Sequence, residues 1–330
     1  MDVVYASNEN YARHLAVPMY SLMDNNQVAD EIRVFVLAVD LSQESQDKLK
    51  AVAARFQRKL EIIPMGELAE RFPYPVDTGA FDISAMGRLF VGTALPPEVE
   101  RVLYLDCDTV VLSSLAKLWK TDLKGRLLGG VMEPTIYPQV KESIGLKEED
   151  PYFNSGVLLI DLAAWRREKA EEKLVDFYGK LGGKTFACDQ DTLNGALRGR
   201  VKALPPRYNF FTNYRYFPYG ELVRLSPAYR AVPEEVFKRA KKHPAILHYA
   251  GDERPWKAGN LGHYRLAYDQ YLAMTPWKGT PKEDNGIGQR LYLFAYHMMD
   301  YLTWICPAAR RQVSRRFGMK VVEGHRCKGR

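Results

Sequence analysis

Two carboxylates one residue apart are the feature of this sequence with the clearest chemical meaning. Asp106 and Asp108 lie between two short apolar runs in residues 101–112, RVLYLDCDTVVL. Because alternate residues of an extended chain point to the same side, the two carboxylates are expected to face one point. Like charges that meet at one point repel, and a divalent cation between them removes the repulsion. The alternative is a turn in which both aspartates are solvated or cap backbone amides.

The apolar runs on either side of the aspartates give the metal site the same weight as the turn. Residues 102–105 and 110–112 have the composition of short buried strands. The aspartates are then predicted to lie at the carboxyl end of a central strand, where open α/β sheets bind their ligands.

A regular alternation of strand and helix patterns predicts an α/β fold built from parallel strand units. Further strands are predicted over residues 2–6, 33–39, 61–63, 126–131 and 152–162. Helices are predicted over residues 12–23 with either a kink or a restart at Pro18, after an N-cap at Ser42, over 83–95 with Arg88, and over 165–180. Residues 134–153 are expected to form a surface loop with a short helix, a candidate lid.

Polar side chains follow the first predicted strand. Asn8, Asn10 and Tyr11 offer amide groups and an aromatic face that could hold a nucleotide base, and the alternative is a polar turn before a helix. Residues 208–219 are rich in aromatic side chains, which suits either a core or a face that binds sugar.

Three later segments also carry polar groups beside predicted elements. Asn154 precedes a strongly apolar strand, and Asp189 and Gln190 lie where acidic residues could simply favour a helix N-terminus. His248 follows a short apolar run, and Arg254 lies in the turn after it. A single histidine in such a place is usually structural, whereas a turn that presents Arg254 supplies a permanent positive charge.

The composition is that of a globular protein, with 26% charged and 46% hydrophobic residues in 330. The sequence predicts no transmembrane helix and no secretory signal. The four cysteines, which form no C-x-x-C pair, favour a reducing cytoplasm over a zinc ribbon or a disulfide framework.

The net charge of +7 is concentrated at the C-terminus. Residues 310–330 contain eight Lys or Arg and one acid, Glu323, so the rest of the chain is electrically balanced. Before this tail, residues 291–306 are apolar but interrupted by His297 and Asp300, which predicts either an amphipathic helix at a membrane surface or a terminal helix packed on the protein. The balanced body argues against a nucleic-acid-binding protein.

Six segments in a fixed order make the chain resemble the family-8 retaining glycosyltransferases, most of all the bacterial lipopolysaccharide and lipo-oligosaccharide galactosyl- and glucosyltransferases. The segments are VVYASNENY, Arg88 in its helix, YLDCDTVV, YFNSGVLLIDL, DQDTLN and HYAGDERPW. The resemblance implies a GT-A fold, a Rossmann-like mixed sheet flanked by helices. It places this domain at residues 1–277 and leaves residues 278–330 as an amphipathic and basic segment for attachment to a membrane surface.

The resemblance also assigns roles residue by residue. The matched metal ligands are Asp106, Asp108 and His248. The matched positions for nucleotide and diphosphate are Ala6, Asn8, Asn10, Tyr11, Arg88, Cys107, Gly251 and Arg254. The matched positions at the donor sugar and reacting bond are Arg88, Glu133, Asn154, Ser155, Asp189 and Gln190.

The implied reaction is the transfer of glucose or galactose from a UDP-sugar to a saccharide or glycolipid acceptor. The implied cofactor is Mn²⁺, with Mg²⁺ as the alternative. Gln190 is a poor nucleophile and Asp189 an unproven one, which favours attack by the acceptor on the face that the diphosphate leaves. The rival hypotheses are a metal-dependent phosphohydrolase or nucleotidyltransferase, and a nucleic-acid binder that uses its tail.

Overall fold

A mixed seven-stranded sheet forms the centre of the computed structural model, which describes residues 1–29, 31–79 and 81–313. The strands of this part of the chain are β1 (Asp2–Asn8), β2 (Arg33–Val39), β3 (Lys59–Pro64), β4 (Arg101–Leu105), β5 (Thr109–Val111), β6 (Leu128–Met132), β7 (Phe153–Asp161), β8 (Val201–Ala203), β9 (Phe210–Phe211) and β10 (Ile246–His248). The order in the large sheet is β3-β2-β1-β4-β7-β6-β8, and a small sheet has the order β5-β10-β9. The predicted α/β class is therefore confirmed.

Helices cover both faces of the sheet and form the C-terminal region. The α-helices of the described residues are α1 (Ala12–Asp24), α2 (Gln43–Arg55), α3 (Val91–Ala94), α4 (Ala116–Trp119), α5 (Pro138–Ser143), α6 (Leu162–Arg167), α7 (Ala170–Lys180), α8 (Cys188–Ala196), α9 (Tyr219–Leu225), α10 (Glu234–Lys242), α11 (Arg265–Leu272) and α12 (Ile287–Ile305). Short 3₁₀ helices cover Glu9–Tyr11, Leu68–Arg71, Ile83–Phe90, Pro206–Tyr208, Thr212–Arg215 and Pro227–Ala231.

The direction of β7 brings two strand ends together. Strands β1 to β4 are mutually parallel where they pair, whereas β7 runs antiparallel to both β4 and β6. The first residues of β7 consequently lie beside the carboxyl end of β4. The prediction of parallel units is right for β1 to β4 and wrong for the strand that carries Asn154.

The sheet separates two hydrophobic cores. Val3 and Tyr5 of β1 enter one core and Val4 and Ala6 enter the other, because successive side chains of a strand point to opposite faces. Strands buried on both faces need nearly continuous apolar runs, which is why β1, β2 and β4 were recognisable from sequence.

The helix predicted over residues 12–23 is confirmed as α1, whereas two other predicted helices differ from the observed ones. Pro18 lies inside α1 without ending it. The segment 83–95 forms a 3₁₀ helix over Ile83–Phe90 followed by the short α3. The segment 165–180 is divided between α6 and α7, because Lys169 has a positive φ of 53° that an α-helix does not accommodate. Ser42 caps α2 as predicted, by accepting a hydrogen bond from the Ser45 N–H.

Two segments without a clear role in the sequence contain buried side chains. The segment 134–153 contains the predicted short helix, and Val140, Ile144 and Tyr152 are buried in a small apolar cluster. For the aromatic segment 208–219, the structure supports the core alternative: Phe210 and Tyr214, for example, are at most 2% exposed.

Among the described residues, no helix combines the length and the apolar content needed to cross a bilayer. The basic tail beyond residue 313, including Arg315, Arg316, Lys320, Arg326, Lys328 and Arg330, lies outside the described residues.

Candidate active site

The two aspartates and His248 form one cluster at the carboxyl end of β4. His248 Nε2 lies 3.2 Å from Asp108 Oδ1 and 3.8 Å from Asp106 Oδ2. One ligand atom from each of the three side chains lies within 4.8 Å of the other two. The side chain of Cys107 points away from the cluster and contacts the Ala6 carbonyl with its Sγ at 3.2 Å, as expected for alternating residues.

Strand pairing positions His248. Strands β5 and β10 are antiparallel, with His248 opposite Thr109, and the Tyr249 N–H donates to the Asp108 carbonyl at 2.9 Å. The imidazole thereby reaches the aspartates from 140 residues along the chain. The short apolar runs before and after the two motifs are what make this pairing possible.

Arg88 fixes Asp106 from inside the protein. Its Nη2 donates to Asp106 Oδ1 at 2.8 Å, and Tyr104 Oη donates to the same oxygen at 2.9 Å. Arg88 also donates to the Ser155 carbonyl at 2.8 Å, and its Nε lies 3.0 Å from Asp189 Oδ2. Burial opposes the charge of Arg88, but the carboxylates of Asp106 and Asp189 raise its pKa, so it is a permanent cation.

A backbone N–H fixes the orientation of the neighbouring amides. The Gly156 N–H donates to Asn154 Oδ1 at 2.9 Å, and Asn209 Nδ2 donates to the same oxygen at 2.7 Å. Asn209 Oδ1 is therefore the atom 2.8 Å from His248 Nδ1, and since an amide oxygen only accepts, the imidazole must donate from Nδ1.

The tautomer of His248 indicates whether the site suits a metal ion. With its proton on Nδ1, neutral His248 directs the lone pair of Nε2 toward the oxygens of Asp106 and Asp108, which also carry only lone pairs. A divalent cation turns that repulsion into ligation, and the bond from His248 Nδ1 to Asn209 is the supporting contact that metal-binding histidines normally make. The donor set therefore fits a divalent metal ion.

Charges inside the cluster shift its pKa values. Burial opposes both shifts, but His248 lowers the pKa of Asp108, and Asp108 followed by Asp106 raises the pKa of His248. Without a metal ion the two carboxylates therefore favour a second proton on His248 Nε2, at the position where a divalent cation would bind instead.

A glycine allows the strands to approach at this point. A Cβ on Gly156 would lie 2.4 Å from His248 Cε1 and 2.7 Å from Asp106 Oδ2. Only glycine permits this contact between β7 and the cluster.

A second group of amides and acids lies next to the cluster. Gln190 Oε1 accepts from Asn154 Nδ2 at 2.7 Å and from the Ser155 N–H at 3.1 Å. Glu133 Oε2 accepts from Asn154 Nδ2 and Gln190 Nε2, each at 3.0 Å. Burial raises the pKa of Glu133 and of Asp189.

Helix α8 supplies this group through its N-terminus. Asp189 and Gln190 are both buried there, and Tyr152 Oη donates to Asp191 Oδ1 at 2.6 Å. Gln190 Nε2 in turn donates to Tyr152 Oη at 3.1 Å. Stabilisation of the helix N-terminus is therefore not the only role of these residues, since their side chains also form hydrogen bonds and ion pairs within the polar group.

One of the residues predicted to bind the nucleotide after β1 also stabilises the local backbone. Asn8 Oδ1 accepts from the Tyr11 N–H at 3.0 Å and so caps the 3₁₀ turn, as the polar-turn alternative predicted. Asn10 is exposed, and burial raises the pKa of the half-buried Tyr11 to about 12. Ala6 is buried at the end of β1.

Gly251 and Arg254 form a turn after β10. Gly251 has a φ of +68°, which favours glycine, and Arg254 Nε donates to the Gly251 carbonyl at 3.0 Å. The charge of Arg254 acts on both Asp108 and Tyr11, so the turn faces the cluster of Asp106, Asp108 and His248.

Several residues of the site were not predicted from sequence. Tyr104, Tyr152 and Asn209 contact the predicted residues directly, and Asp191 accepts a hydrogen bond from Tyr152. Asp191 was visible as part of the DQD segment, whereas Asn209 was hidden in an aromatic stretch that carried no periodic signal.

Comparison with known proteins identifies the family. Residues 2–259 match the family model of glycosyl transferase family 8. The chain is 26% identical to general stress protein A of Bacillus subtilis over 280 residues, which are 84% of this chain and 94% of that protein. It is also 26% identical to a lipopolysaccharide 1,2-glucosyltransferase of Escherichia coli over 295 residues, 85% of this chain and 80% of that protein.

A solved structure supports the same relationship. The galactosyltransferase LgtC, in complex with donor and acceptor sugar analogues, superposes with a TM-score of 0.69 at 27% sequence identity, covering 84% of this chain and 96% of that one. The similarity confirms the predicted GT-A fold.

Proposed function

Since the chain belongs to glycosyl transferase family 8 and is a glycosyltransferase, we propose that it moves glucose or galactose from a UDP-sugar to a saccharide acceptor with retention of configuration. The observation that carries the proposal is the convergence of Asp106, Asp108 and His248 at the carboxyl end of β4. Two carboxylates and an imidazole with a supporting Asn209 suit Mn²⁺, with Mg²⁺ as the alternative.

The nucleotide is proposed to lie between β1 and the turn after β10. Tyr11 offers its aromatic face to uracil, while Ala6, Asn8 and Asn10 surround the base and ribose. Because Asn8 Oδ1 already caps a turn, its Nδ2 is the group proposed to contact the base or the ribose.

The diphosphate is proposed to contact the turn at Gly251 and Arg254. The Arg254 guanidinium is a planar donor that can bond two phosphate oxygens at once. When bound, a divalent metal ion adds positive charge where the leaving diphosphate becomes more negative. Arg254 and the Gly251 amide contribute to the same electrostatic stabilisation.

The hexose is proposed to occupy the polar group beside the cluster. Asp189 Oδ2 is buried and, although it lies 3.0 Å from Arg88 Nε, accepts no hydrogen bond, so it is available to a sugar hydroxyl. Glu133, Asn154, Ser155 and Gln190 offer further acceptors and donors. Arg88 is proposed to hold Asp106 and Asp189 in place as well as to contact the sugar.

The geometry favours the route in which the acceptor attacks from the face that the diphosphate leaves. Gln190 Oε1 already accepts two hydrogen bonds, and Asp189 is paired with the buried cation of Arg88. Both contacts reduce the electron density that a nucleophile needs. In the proposed route a phosphate oxygen of the donor takes the proton of the acceptor hydroxyl.

We propose a lipopolysaccharide or another glycolipid as the acceptor, reached at the cytoplasmic face of a membrane. A relative of this chain is a lipopolysaccharide glucosyltransferase. Helix α12 supports the location, because it exposes an apolar stripe that we call the outer stripe. Its members, which recur every three or four residues and are 39% to 77% exposed, are Ile287, Leu291, Phe294, Met298, Tyr301 and Ile305.

The direct test is incubation of the protein with Mn²⁺ and a panel of UDP-sugars, because slow donor hydrolysis identifies the donor without an acceptor. UDP-glucose or UDP-galactose is expected to yield free hexose and UDP. Asp108→Asn is expected to lower the rate by at least about 100-fold while circular dichroism shows an unchanged fold.

Three results would contradict the proposal: no hydrolysis of either donor, equal hydrolysis by Asp108→Asn, or release of sugar phosphate instead of hexose. The last product would favour the phosphohydrolase alternative. Asp122→Asn, which changes a carboxylate away from the site, is the matched control and should keep the wild-type rate.

A further inference from the structure

A second group of possible metal ligands lies where helix α12 packs against the turn after β10. Glu253 belongs to that turn, and His297 and Asp300 belong to the buried face of α12. All three residues are more than nine-tenths buried, with exposures of 3%, 2% and 7%. They are separate from the cluster of Asp106, Asp108 and His248.

Three atoms of this group converge. His297 Nδ1 lies 3.4 Å from Glu253 Oε1 and 3.4 Å from Asp300 Oδ2, and one ligand atom from each residue lies within 4.8 Å of the other two. Around a tetrahedral zinc ion with bonds of 2.0–2.1 Å, neighbouring ligand atoms are about 3.3 Å apart. The spacing from the imidazole nitrogen to each carboxylate is therefore that of a ligand set.

The converging oxygens have no other partner. Glu253 Oε1 and Asp300 Oδ2 are buried and accept no hydrogen bond from outside the group, although Thr212 Oγ1 donates to the other Glu253 oxygen at 3.2 Å. Among the described residues, no Lys or Arg forms an ion pair with Glu253 or Asp300. Burying two carboxylates without a cation is costly.

The raised pKa of Glu253 reflects the cost of burying its carboxylate. Burial, followed by the charge of the neighbouring Asp300, raises the pKa of the Glu253 carboxyl to about 8. A cation between the three atoms would remove the penalty on both carboxylates.

We propose that Glu253, His297 and Asp300 bind one divalent transition-metal ion of the Zn²⁺ class. Two carboxylates and one imidazole form a donor set that suits Zn²⁺, and a water molecule would be the fourth ligand. His297 and Asp300 are three residues apart on one helix, a spacing that places both on the same face. The ion would fasten α12 to the segment that carries Gly251 and Arg254.

This site also accounts for the unusual orientation of α12. The helix turns the polar side chains of His297, Asp300 and Thr303 inward and leaves the outer stripe exposed. A metal ion on the inner face would hold the helix in that orientation. The inference does not depend on the proposed function, because it concerns how two elements of the fold are joined.

The test uses the full chain with Asp106→Asn and Asp108→Asn, a double variant in which the first cluster is disabled, and no nucleotide. After dialysis against Zn²⁺, elemental analysis is expected to find one zinc per chain. Adding His297→Gln is expected to weaken zinc binding by at least about 100-fold in isothermal titration. His263→Gln, which changes a histidine outside both clusters, is the matched control and should retain one zinc.

A spectroscopic measurement covers the case in which His297→Gln does not fold. With Co²⁺ in place of Zn²⁺, the double variant is expected to show the strong visible absorption of a four-coordinate ion, and adding Asp300→Asn is expected to abolish it. Absence of bound zinc in the double variant, or equal zinc with and without His297→Gln, would overturn the proposal. The three residues would then be a buried group that shares protons.

Discussion

An uncharged residue, Asn209, controls the orientation of His248. Its Oδ1 accepts from His248 Nδ1 at 2.8 Å, and its Nδ2 donates to Asn154 Oδ1 at 2.7 Å. The amide therefore links the cluster of Asp106, Asp108 and His248 to the polar group where the hexose is proposed to bind. One chain of hydrogen bonds sets the tautomer of His248 and the orientation of the Asn154 amide.

Asn209→Ala is expected to weaken Mn²⁺ binding by about 10–100-fold, because the imidazole loses the contact that fixes its tautomer and ring orientation. Titration of Mn²⁺ in the presence of UDP, followed by electron paramagnetic resonance, measures the change. Asn213→Ala removes an amide whose Oδ1 has no hydrogen-bond partner and should leave the affinity within about twofold. Equal Mn²⁺ affinity in the wild type and Asn209→Ala would refute this role.

Asp191 is expected to make stability depend on pH. Burial raises its pKa to about 6, above the value of about 3.9 in an unfolded chain. The folded protein binds this proton more tightly, so the contribution of Asp191 to the free energy of unfolding falls as pH rises from about 4 to about 6 and is constant above. Relative to Asp191→Asn, the wild type should lose about 1 kcal/mol between pH 5 and pH 7.

Urea denaturation of both proteins at the two pH values measures this difference. Asp176→Asn, which removes an exposed carboxylate of α7, is the control and should show no such change relative to the wild type. If the wild type instead gained stability over this range relative to Asp191→Asn, the change in the free energy of unfolding would have the opposite sign. That result would contradict a raised pKa for Asp191.

At the scale of elements, the site exists because β4, β7 and β10 end at the same place. The antiparallel β7 begins where β4 ends, and the Asp106 N–H donates to the Gly156 carbonyl at 2.8 Å. The small sheet then adds His248 from β10 through its pairing with β5. The missing side chain of Gly156 leaves room for both.

Gly156→Ala should therefore disrupt the site without removing any functional group. Its Cβ would lie 2.4 Å from His248 Cε1, so the imidazole must move, and a displacement near 1 Å costs about 100-fold in rate. Donor hydrolysis measures the loss. Gly130→Ala on the adjacent β6 is the matched control, because its nearest contact would be an ordinary 3.4 Å.

If the two alanine variants were equally active, the close approach of β7 to the cluster would have no functional meaning. Thermal unfolding of both variants shows whether the effect of Gly156→Ala is confined to the site or reaches the whole sheet.

At the scale of the whole molecule, the outer stripe of α12 and the basic C-terminus occupy neighbouring positions in the chain. Arg310 and Arg311 follow the helix, and Arg311 pairs with the buried Glu221. Further basic residues come after them in the sequence. An apolar stripe followed by positive charge is the pattern that binds an anionic membrane surface.

Replacing Leu291, Phe294 and Ile305 by serine is expected to lower binding to vesicles with anionic headgroups by at least about 100-fold, because each side chain loses about 1.5 kcal/mol or more of transfer free energy. Vesicle sedimentation measures this, and binding of the wild type should weaken as salt rises. Serine at Val28 and Leu266, exposed residues outside α12, is the control. Unchanged binding of the triple variant would exclude the outer stripe as the membrane contact.

The sequence by itself determined the α/β class and the family, and it identified most residues of the candidate site. Buried strands such as β1 and β4 require continuous apolar runs, and the Asp106 and Asp108 pair at a strand end is a local pattern, so both could be recognised from neighbouring residues. Arg88 was identified only through the resemblance, since its orientation could not be derived from the sequence pattern.

The tertiary structure decided which distant residues meet. Asn209 reaches His248, and Glu253 reaches His297 and Asp300, through packing between elements that are far apart in sequence. It also placed the aromatic segment 208–219 in the core and divided the predicted helix at Lys169. Local patterns record which residues are apolar and how they alternate, whereas contacts between elements depend on strand direction and pairing, which a single sequence does not specify.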